Sequence, residues 1–390
     1  MLLSNYVDAN SMGKKIITIL LGILICFRIG WLGYQQKDKY APNYWSRYET
    51  FKSVYGESQY SMKGWKYWIP DETVYAYAGG AYIKGANPII VESTQPPLGK
   101  YLIGLSILAT GNEHSTVAVF FVLLLIGIYF LVRMMTGNTI VASVAVLIAS
   151  FERLFVDQLS ISPLLDIFFI TFVLYAIIAA SHAIQKSKPV FILLSFLFLG
   201  LSMMTKVWLI GAVFAIVITL YIFIKRPKYY VYILVGGLIV LITTLLTYVR
   251  MFTDGYTVIE VLKVQKWLFW YQNGKINHIF TIWPLIFMNR WYVWWGEVPV
   301  ITDLNWSVSW PIVIGSGIAS SVYGLRTIIK KTEPAIHISA LSIFAYAVFI
   351  SLGQASARYL LPFLPICYSM MIWAAYDICK RFFVKRSHRI

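Results

Sequence analysis

The chain has 390 residues, 59% of them hydrophobic and only 13% charged, with a mean hydropathy of +0.68. Soluble domains carry about a quarter charged residues, so this composition excludes a water-soluble protein and describes a polytopic membrane protein. The net charge of +16 does not point to nucleic acid, because a basic patch with interleaved aromatics needs a water-exposed domain to carry it.

A membrane-spanning helix needs about 20 apolar residues. The apolar runs predict ten spans, near 16–34, 116–135, 139–156, 163–182, 189–204, 207–224, 230–249, 308–325, 335–353 and 359–378. The first is read as a retained helix rather than a signal peptide, since Arg28 interrupts it and no small-residue cleavage pattern follows. Gly200 to Lys206 interrupts the boundary between the fifth and sixth.

Basic residues mark alternate connections. Lys14 and Lys15 precede the first span, and Arg133, Lys186, Lys188, Lys225, Arg226, Lys228, Arg326, Lys330 and Lys331 follow in turn, with a basic tail up to Arg389. This side carries 16 Lys and Arg against three acids, whereas the other is nearly balanced. Both termini are therefore expected to be cytoplasmic in a multi-pass protein of the cell membrane.

Two long segments, about 35–115 and about 250–307, then face outward. Their aromatics, among them Trp45, Trp65, Trp68, Trp270, Tyr271, Trp283, Trp291, Trp294 and Trp295, read as an interfacial belt. Within the first, Leu98 to Thr110 is apolar, too short to span and ended by Gly111-Asn112. It is predicted to lie in the interface.

Charges that a membrane tolerates badly are functional candidates. Asp71, Glu72, Lys100, Glu152, Arg153, Asp157, Asp166, Lys206, Arg250, Arg290 and Arg358 all come to the outer boundary under this topology. Concentration at one face suits a surface-facing active site better than a transmembrane pathway, and a transporter or flippase would show repeats around midplane charges. A structural partner in a cell-envelope assembly would keep the helices without needing the acids. The scattered histidines, including His278 and His388, and the three cysteines without CxxC spacing form no metal or disulfide framework. A carboxylate within reach of a hydroxyl acts as general base, and Lys and Arg neutralise a leaving phosphate. A lipid-linked phosphosugar would use both.

The segments Asp71-Glu-Thr-Val-Tyr, Tyr82-Ile-Lys-Gly-Ala-Asn-Pro88 and Gln95-Pro-Pro-Leu-Gly-Lys-Tyr101 resemble the first outer loop of the dolichyl-phosphate-mannose protein O-mannosyltransferases and the related lipid A aminoarabinose transferases. The resemblance continues in family order through Phe151-Glu-Arg-Leu, Ser162-Pro-Leu-Leu-Asp166, Gly200-Leu-Ser-Met-Met-Thr-Lys206, Phe269-Trp-Tyr271, Trp283-Pro284 with Arg290, and Arg358-Tyr-Leu-Leu-Pro-Phe-Leu-Pro365. It implies an all-α polytopic GT-C glycosyltransferase, a bundle of about ten transmembrane helices forming one domain over 1–390, with interfacial helices in the long first outer loop.

The resemblance further implies inverting transfer of a mannose-like sugar from a polyprenyl-phosphate donor to a hydroxyl of protein, lipid or polysaccharide, at the extracytoplasmic face. Asp71 would be the catalytic base and Glu72 its neighbour in orienting substrate. Lys100, Lys206 and Arg358 would contact the lipid phosphate, with Arg290 as a further candidate, and Asp166 would hold sugar or acceptor. No metal and no cofactor is implied; the partners are donor, acceptor and membrane lipids, and a homo- or hetero-dimer is compatible with the reading. An oligosaccharide ligase or polymerase with a diphosphate-linked donor is the alternative within enzymes. The family's common His-Pro-Pro is Gln95-Pro96-Pro97 here, and its His-Pro-Tyr segment is reduced to His278-Ile-Phe. The end of the chain just after its last helix points to a compact prokaryotic-type enzyme.

Overall fold

The computed structural model describes residues 2–273, 279–293, 300–329 and 333–387. The expectations on His278, Trp294, Trp295, Lys330, Lys331, His388 and Arg389 lie outside the described residues. The architecture is helical, beginning with α1 (Leu2–Gln35), α2 (Tyr44–Gly56), α3 (Asp71–Ile83), α4 (Leu98–Thr110), α5 (Ser115–Thr136), α6 (Thr139–Ala149), α7 (Arg153–Ser160) and α8 (Asp166–Gln185). It continues with α9 (Val190–Thr205), α10 (Trp208–Lys225), α11 (Tyr230–Thr247), α12 (Val249–Thr253), α13 (Val258–Asn273) and α14 (Ile282–Met288). A two-residue hairpin follows, β1 (Trp291–Tyr292) antiparallel to β2 (Val300–Ile301), and then α15 (Ser309–Leu325), α16 (Pro334–Leu352) and α17 (Leu364–Ser387).

Each predicted span coincides with a helix, but six helices among the described residues are long and apolar enough to cross, or seven if a bent pair counts as one span. The difference has physical causes. The third predicted span is broken: α6 and α7 meet at 58°. Glu152 sits in the break, its carboxylate accepting from the Leu154 N–H at 3.3 Å, the Ser309 hydroxyl at 3.0 Å, the Trp310 indole at 3.2 Å and the Tyr368 hydroxyl at 2.5 Å. A buried carboxylate needs such donors, and gathering them from three helices turns the chain. The fifth and eighth, α9 and α15, have 16 and 17 residues, about 24–26 Å of helix at 1.5 Å per residue. The tenth begins as a 3₁₀-helix, Ala357–Leu360, before α17.

Among lipid tails, helices gain little by hiding apolar surface from each other, so close packing through small residues holds them together. The α9 and α11 pair shows this: a Cβ on Gly236 would lie 2.5 Å from the Phe196 ring, and one on Gly200 would lie 3.1 Å from Thr243. Central in the bundle is α8, with 83% of its apolar window buried, packed against α5, α9 and α16. By contrast α1 is only 6% buried in its apolar stretch and presents most of its sides outward.

Direction along the bundle separates the charges. Asp166 opens α8 and Lys206 closes α9, whereas Lys186, Lys188 and Lys225 lie at the opposite ends of α8, α9 and α10. The segment between α1 and α5 folds over the Asp166 end as α2, α3 and α4. The interfacial helix expected at Leu98–Thr110 is α4; it begins after Pro96-Pro97, tolerated in a first turn, and ends on Gly111 at φ +66°, the left-handed cap that glycine adopts without strain.

Candidate active site

Asp71 is the first residue of α3, with Pro70 extended before it and Glu72 beside it. Two acids in the first turn face the positive end of the helix dipole, which favours this start. The rest of α3 is fixed from behind. The Tyr44 hydroxyl of α2 donates to the Ala76 carbonyl at 2.8 Å, and Gly80 lets it approach, since a Cβ there would lie 2.0 Å from that oxygen.

Four segments then converge. Arg358, in the 3₁₀-helix before α17, donates from Nη1 to Asp71 Oδ2 at 2.7 Å. The same guanidinium donates from Nη2 and Nε to Asp166 Oδ2 at 2.7 and 3.1 Å. Lys206 pairs with the other oxygen of Asp166. The second oxygen of Asp71 accepts from the Tyr60 hydroxyl at 2.8 Å. Asp71 and Arg358 keep 33% and 31% of their side chains accessible, whereas Asp166 keeps 3%. Asp166 is thus spent on orienting the two cations, while Asp71 and Arg358 remain available to a ligand.

Burial pushes the Asp71 carboxyl up, but the Arg358 guanidinium and the Tyr60 hydroxyl outweigh it and hold the group below its ordinary range. Glu72 moves the other way, raised by burial and by the neighbouring Asp71 charge. The two adjacent acids therefore differ in character, and only the first is held ionised by partners.

The network opens on a cavity of about 400 Å³. Its charged lining is Asp71, Lys206 and Arg358; its aromatic lining is Tyr60, Trp68, Tyr75, Tyr271, Trp291 and Tyr359; Gln59, Thr94, Gln95, Gln354 and Ser356 complete it. Gln354 and Tyr359 also border an apolar groove of about 230 Å³ between α10 and α16, walled by Val207, Leu209, Ile210, Phe349 and Ile350. A charged chamber thus adjoins a greasy one.

Other sequence candidates lie elsewhere. Lys100 does not line the cavity: its side chain is fully buried, paired with the Glu92 carboxylate and donating at 2.8 Å to the carbonyls of both Glu92 and Gln95. Its three donors are consumed inside the protein, so its place is behind the cavity wall rather than on a phosphate. Arg290 is exposed after α14, its backbone N–H bonded to the Pro284 carbonyl at 3.1 Å, and does not line the cavity. Glu72 is half-buried and also outside the lining. Arg250 pairs with Asp254 at 3.0 Å. Asp157 accepts from Asn305 at 3.0 Å, and Arg153 reaches the Trp306 carbonyl at 3.5 Å, in place of the pairing among Glu152, Arg153 and Asp157 that helix spacing allowed. Sequence reasoning missed Tyr60, Glu92 and Gln354. A tyrosine in an aromatic-rich loop and a glutamate apart from any motif gave no distinguishing signal.

Two comparisons with known proteins bear on the family and the fold. The family model of dolichyl-phosphate-mannose-protein mannosyltransferase matches residues 94–247, a stretch that holds Gln95, Asp166 and Lys206. The archaeal oligosaccharyltransferase AglB from Archaeoglobus fulgidus, solved in complex with an inhibitory peptide and a dolichol-phosphate, superposes with a TM-score of 0.53 at 13% identity. The match covers 88% of this chain and 51% of that one. The chain has the GT-C glycosyltransferase fold. It spans about half the length of that structure. No curated protein sequence matches it. The family resemblance is borne out by a match that takes in the motifs from Gln95 to Tyr101, Phe151 to Leu154, Ser162 to Asp166 and Gly200 to Lys206, and both matches are to glycosyltransferases, in line with the enzyme class expected. Within the GT-C fold, the family model takes in two members of the charged network directly, while Asp71 and Arg358 lie to either side of it.

Proposed function

We propose that the protein transfers a sugar from a polyprenyl-phosphate carrier to a hydroxyl acceptor at the extracytoplasmic membrane face. The observation that carries this reading is the meeting of Asp71, Asp166, Lys206 and Arg358, from four separate segments, at the junction of a polar cavity and an apolar groove. The groove suits a polyprenyl tail, the two cations suit its phosphate and the aromatic-rich cavity suits a sugar.

In the reaction, Asp71 takes the proton of the acceptor hydroxyl as its oxygen attacks the anomeric carbon. The bond from that carbon to the phosphate oxygen breaks, and its electron pair leaves on the polyprenyl phosphate. Arg358 and Lys206 stabilise the charge that accumulates there. One displacement of this kind inverts the anomeric centre. Asp166 holds the cations in place before the donor arrives, so that little reorganisation is required when it does.

The family model's description supports a monophosphate carrier, and the dolichol-phosphate and peptide held by AglB support a lipid-linked donor with a protein acceptor as the first acceptor class to try. The position of Asp166 and Lys206 at the end of the bundle opposite Lys186, Lys188 and Lys225 supports the reading that both termini are cytoplasmic and the cavity faces outward. The test is incubation of the purified chain with polyprenyl-phosphate sugars and native membranes, followed by mass spectrometry. A product heavier by one sugar, absent with Asp71→Asn, is expected. Transfer only from diphosphate-linked donors, or unchanged transfer by Asp71→Asn, would overturn the reading.

A further inference from the structure

Between α2 and α3, every residue from Ser61 to Trp68 is exposed, and four of them, Met62, Trp65, Tyr67 and Trp68, are large and apolar. The base of this loop is tightly closed. The Lys66 and Tyr67 N–H groups donate to the Glu57 carbonyl at 2.9 and 3.2 Å. Gln59 holds Ile69 through both ends of its amide, donating to the carbonyl at 2.7 Å and accepting from the N–H at 3.0 Å. Trp68 therefore sits between two anchored residues, yet 65% of it is exposed. A backbone fixed in this way forgoes the gain of burying a large apolar ring.

Exposed tryptophan at a lipid boundary reads as an interfacial anchor, but Trp68 lines the polar cavity together with Asp71 and Tyr60. Trp65 packs against it, with ring centroids 5.7 Å apart and planes at 62°. The two indoles form a corner at the cavity mouth. Three steps of chain separate Trp68 from Asp71, at most about 11 Å between their Cα atoms, and Tyr60 of the same loop donates to Asp71 at 2.8 Å. The corner thus lies on the side of the proposed base, which receives the acceptor, whereas the apolar groove is bordered by Gln354 and Tyr359.

A pyranose ring presents C–H groups on its faces and hydroxyls around its rim. The corner and the adjoining cavity match both, with aromatic faces from Trp65 and Trp68 and hydroxyls from Tyr60 and Ser356. The negative face of an aromatic ring attracts the C–H groups. An extended peptide is held chiefly through its main chain, and beside Trp68 the N–H of Tyr67 and both main-chain groups of Ile69 are already engaged within the loop.

We infer that Trp68, backed by Trp65, stacks on a sugar ring of the acceptor, and that the hydroxyl glycosylated belongs to a carbohydrate. The reaction then joins sugar to sugar. The acceptor O–H gives its proton to Asp71, its oxygen bonds to the anomeric carbon of the donor, and the polyprenyl phosphate leaves with the electron pair of the broken bond. The inference rests on the transferase reading of the cavity and narrows its acceptor from any hydroxyl to that of a glycan.

The experiment gives the full chain, in detergent micelles with short polyprenyl-phosphate sugars as donors, two kinds of acceptor: a set of octyl hexosides and a peptide amide containing serine and threonine. Mass spectrometry should find an octyl hexoside heavier by one sugar. Trp68→Ala should raise KM for that hexoside by about three- to tenfold, the range of an aromatic stacking contact, with donor KM unchanged. Trp68→Tyr, which keeps a ring face, should restore most of the loss, a rescue that a merely structural role would not give. Trp65→Ala should act in the same direction and serves if Trp68→Ala fails to fold. Transfer to the peptide or into native membranes with no octyl hexoside accepted, or an acceptor KM unmoved by these variants, overturns this inference alone. Transfer to neither acceptor and to nothing in native membranes overturns it together with the reading beneath it.

Discussion

Arg358 and Asp71 are 287 positions apart and meet at 2.7 Å. The guanidinium simultaneously holds Asp166 at 2.7 Å, so one side chain joins the first outer segment, the start of α8 and the approach to α17. Three parts of the chain are tied at the point where a phosphate and a hydroxyl would have to be brought together. This relationship generates most of what can be tested.

Replacing Asp71 by Asn keeps the shape and removes the proposed base. General-base catalysis contributes about 10²–10⁴-fold, so the rate of sugar transfer should fall by that order, a larger effect than the stability lost with the Arg358 ion pair. Single-turnover rates with preloaded donor check it, and Glu72→Gln, which lies outside the lining, should retain most of the activity.

The two cations should separate by role. Arg358→Lys retains charge but cannot hold two carboxylates through a planar fork, so both donor KM and kcat are expected to worsen. Lys206→Met removes the proposed phosphate contact and leaves Asp166 with Arg358 alone, and should raise donor KM by roughly ten- to a hundredfold, the scale of a charged hydrogen bond. Initial-rate kinetics against donor concentration distinguish the two.

The pH profile has a defined sign. Arg358 and Tyr60 hold the Asp71 carboxyl below its ordinary range despite burial, so its stabilising contribution is fully present above the unfolded value of about 3.9 and is lost as pH falls through the lower folded value. The acidic limb of kcat/KM should accordingly lie below the usual carboxylate range. Arg358→Gln should move that limb upward. A wild-type limb above the usual range would instead identify Glu72, whose carboxyl is raised by burial and by Asp71.

The pair of Lys100 and Glu92 is fully buried. Lys100→Met leaves an uncompensated carboxylate and should destabilise the fold by about 3–5 kcal/mol. Combining it with Glu92→Gln should recover a large part of that loss. Thermal unfolding in detergent provides the measurement, and equal stability of the single and double variants would remove the pair from the account.

Some of this was legible without coordinates. Apolar length located a helix at each of the ten predicted spans, the third of them broken in two, because lipid offers no hydrogen bonds to exposed backbone and long apolar runs are left with the helix. The short apolar stretch ending at Gly111 was recognisable as α4 for the same reason of length. Asp71, Asp166, Lys206 and Arg358 were marked by the cost of charge at a membrane boundary, a property of residue type and local hydropathy.

Tertiary structure decided which of the marked charges meet. Lys100 shared every sequence property of Lys206, yet one faces Glu92 behind the wall and the other faces Asp166 at the cavity. Hydropathy could not see that difference, since partner choice depends on how α3, α4, α8 and the segment before α17 pack. The same holds for Glu152, whose four donors come from its own turn and from α15 and α17 and bend a predicted span into two helices. The sequence determined that these charges had to be compensated. Packing alone determined by what, because a hydrogen bond requires its partners within about 3 Å and only the folded chain brings residues hundreds of positions apart to that distance.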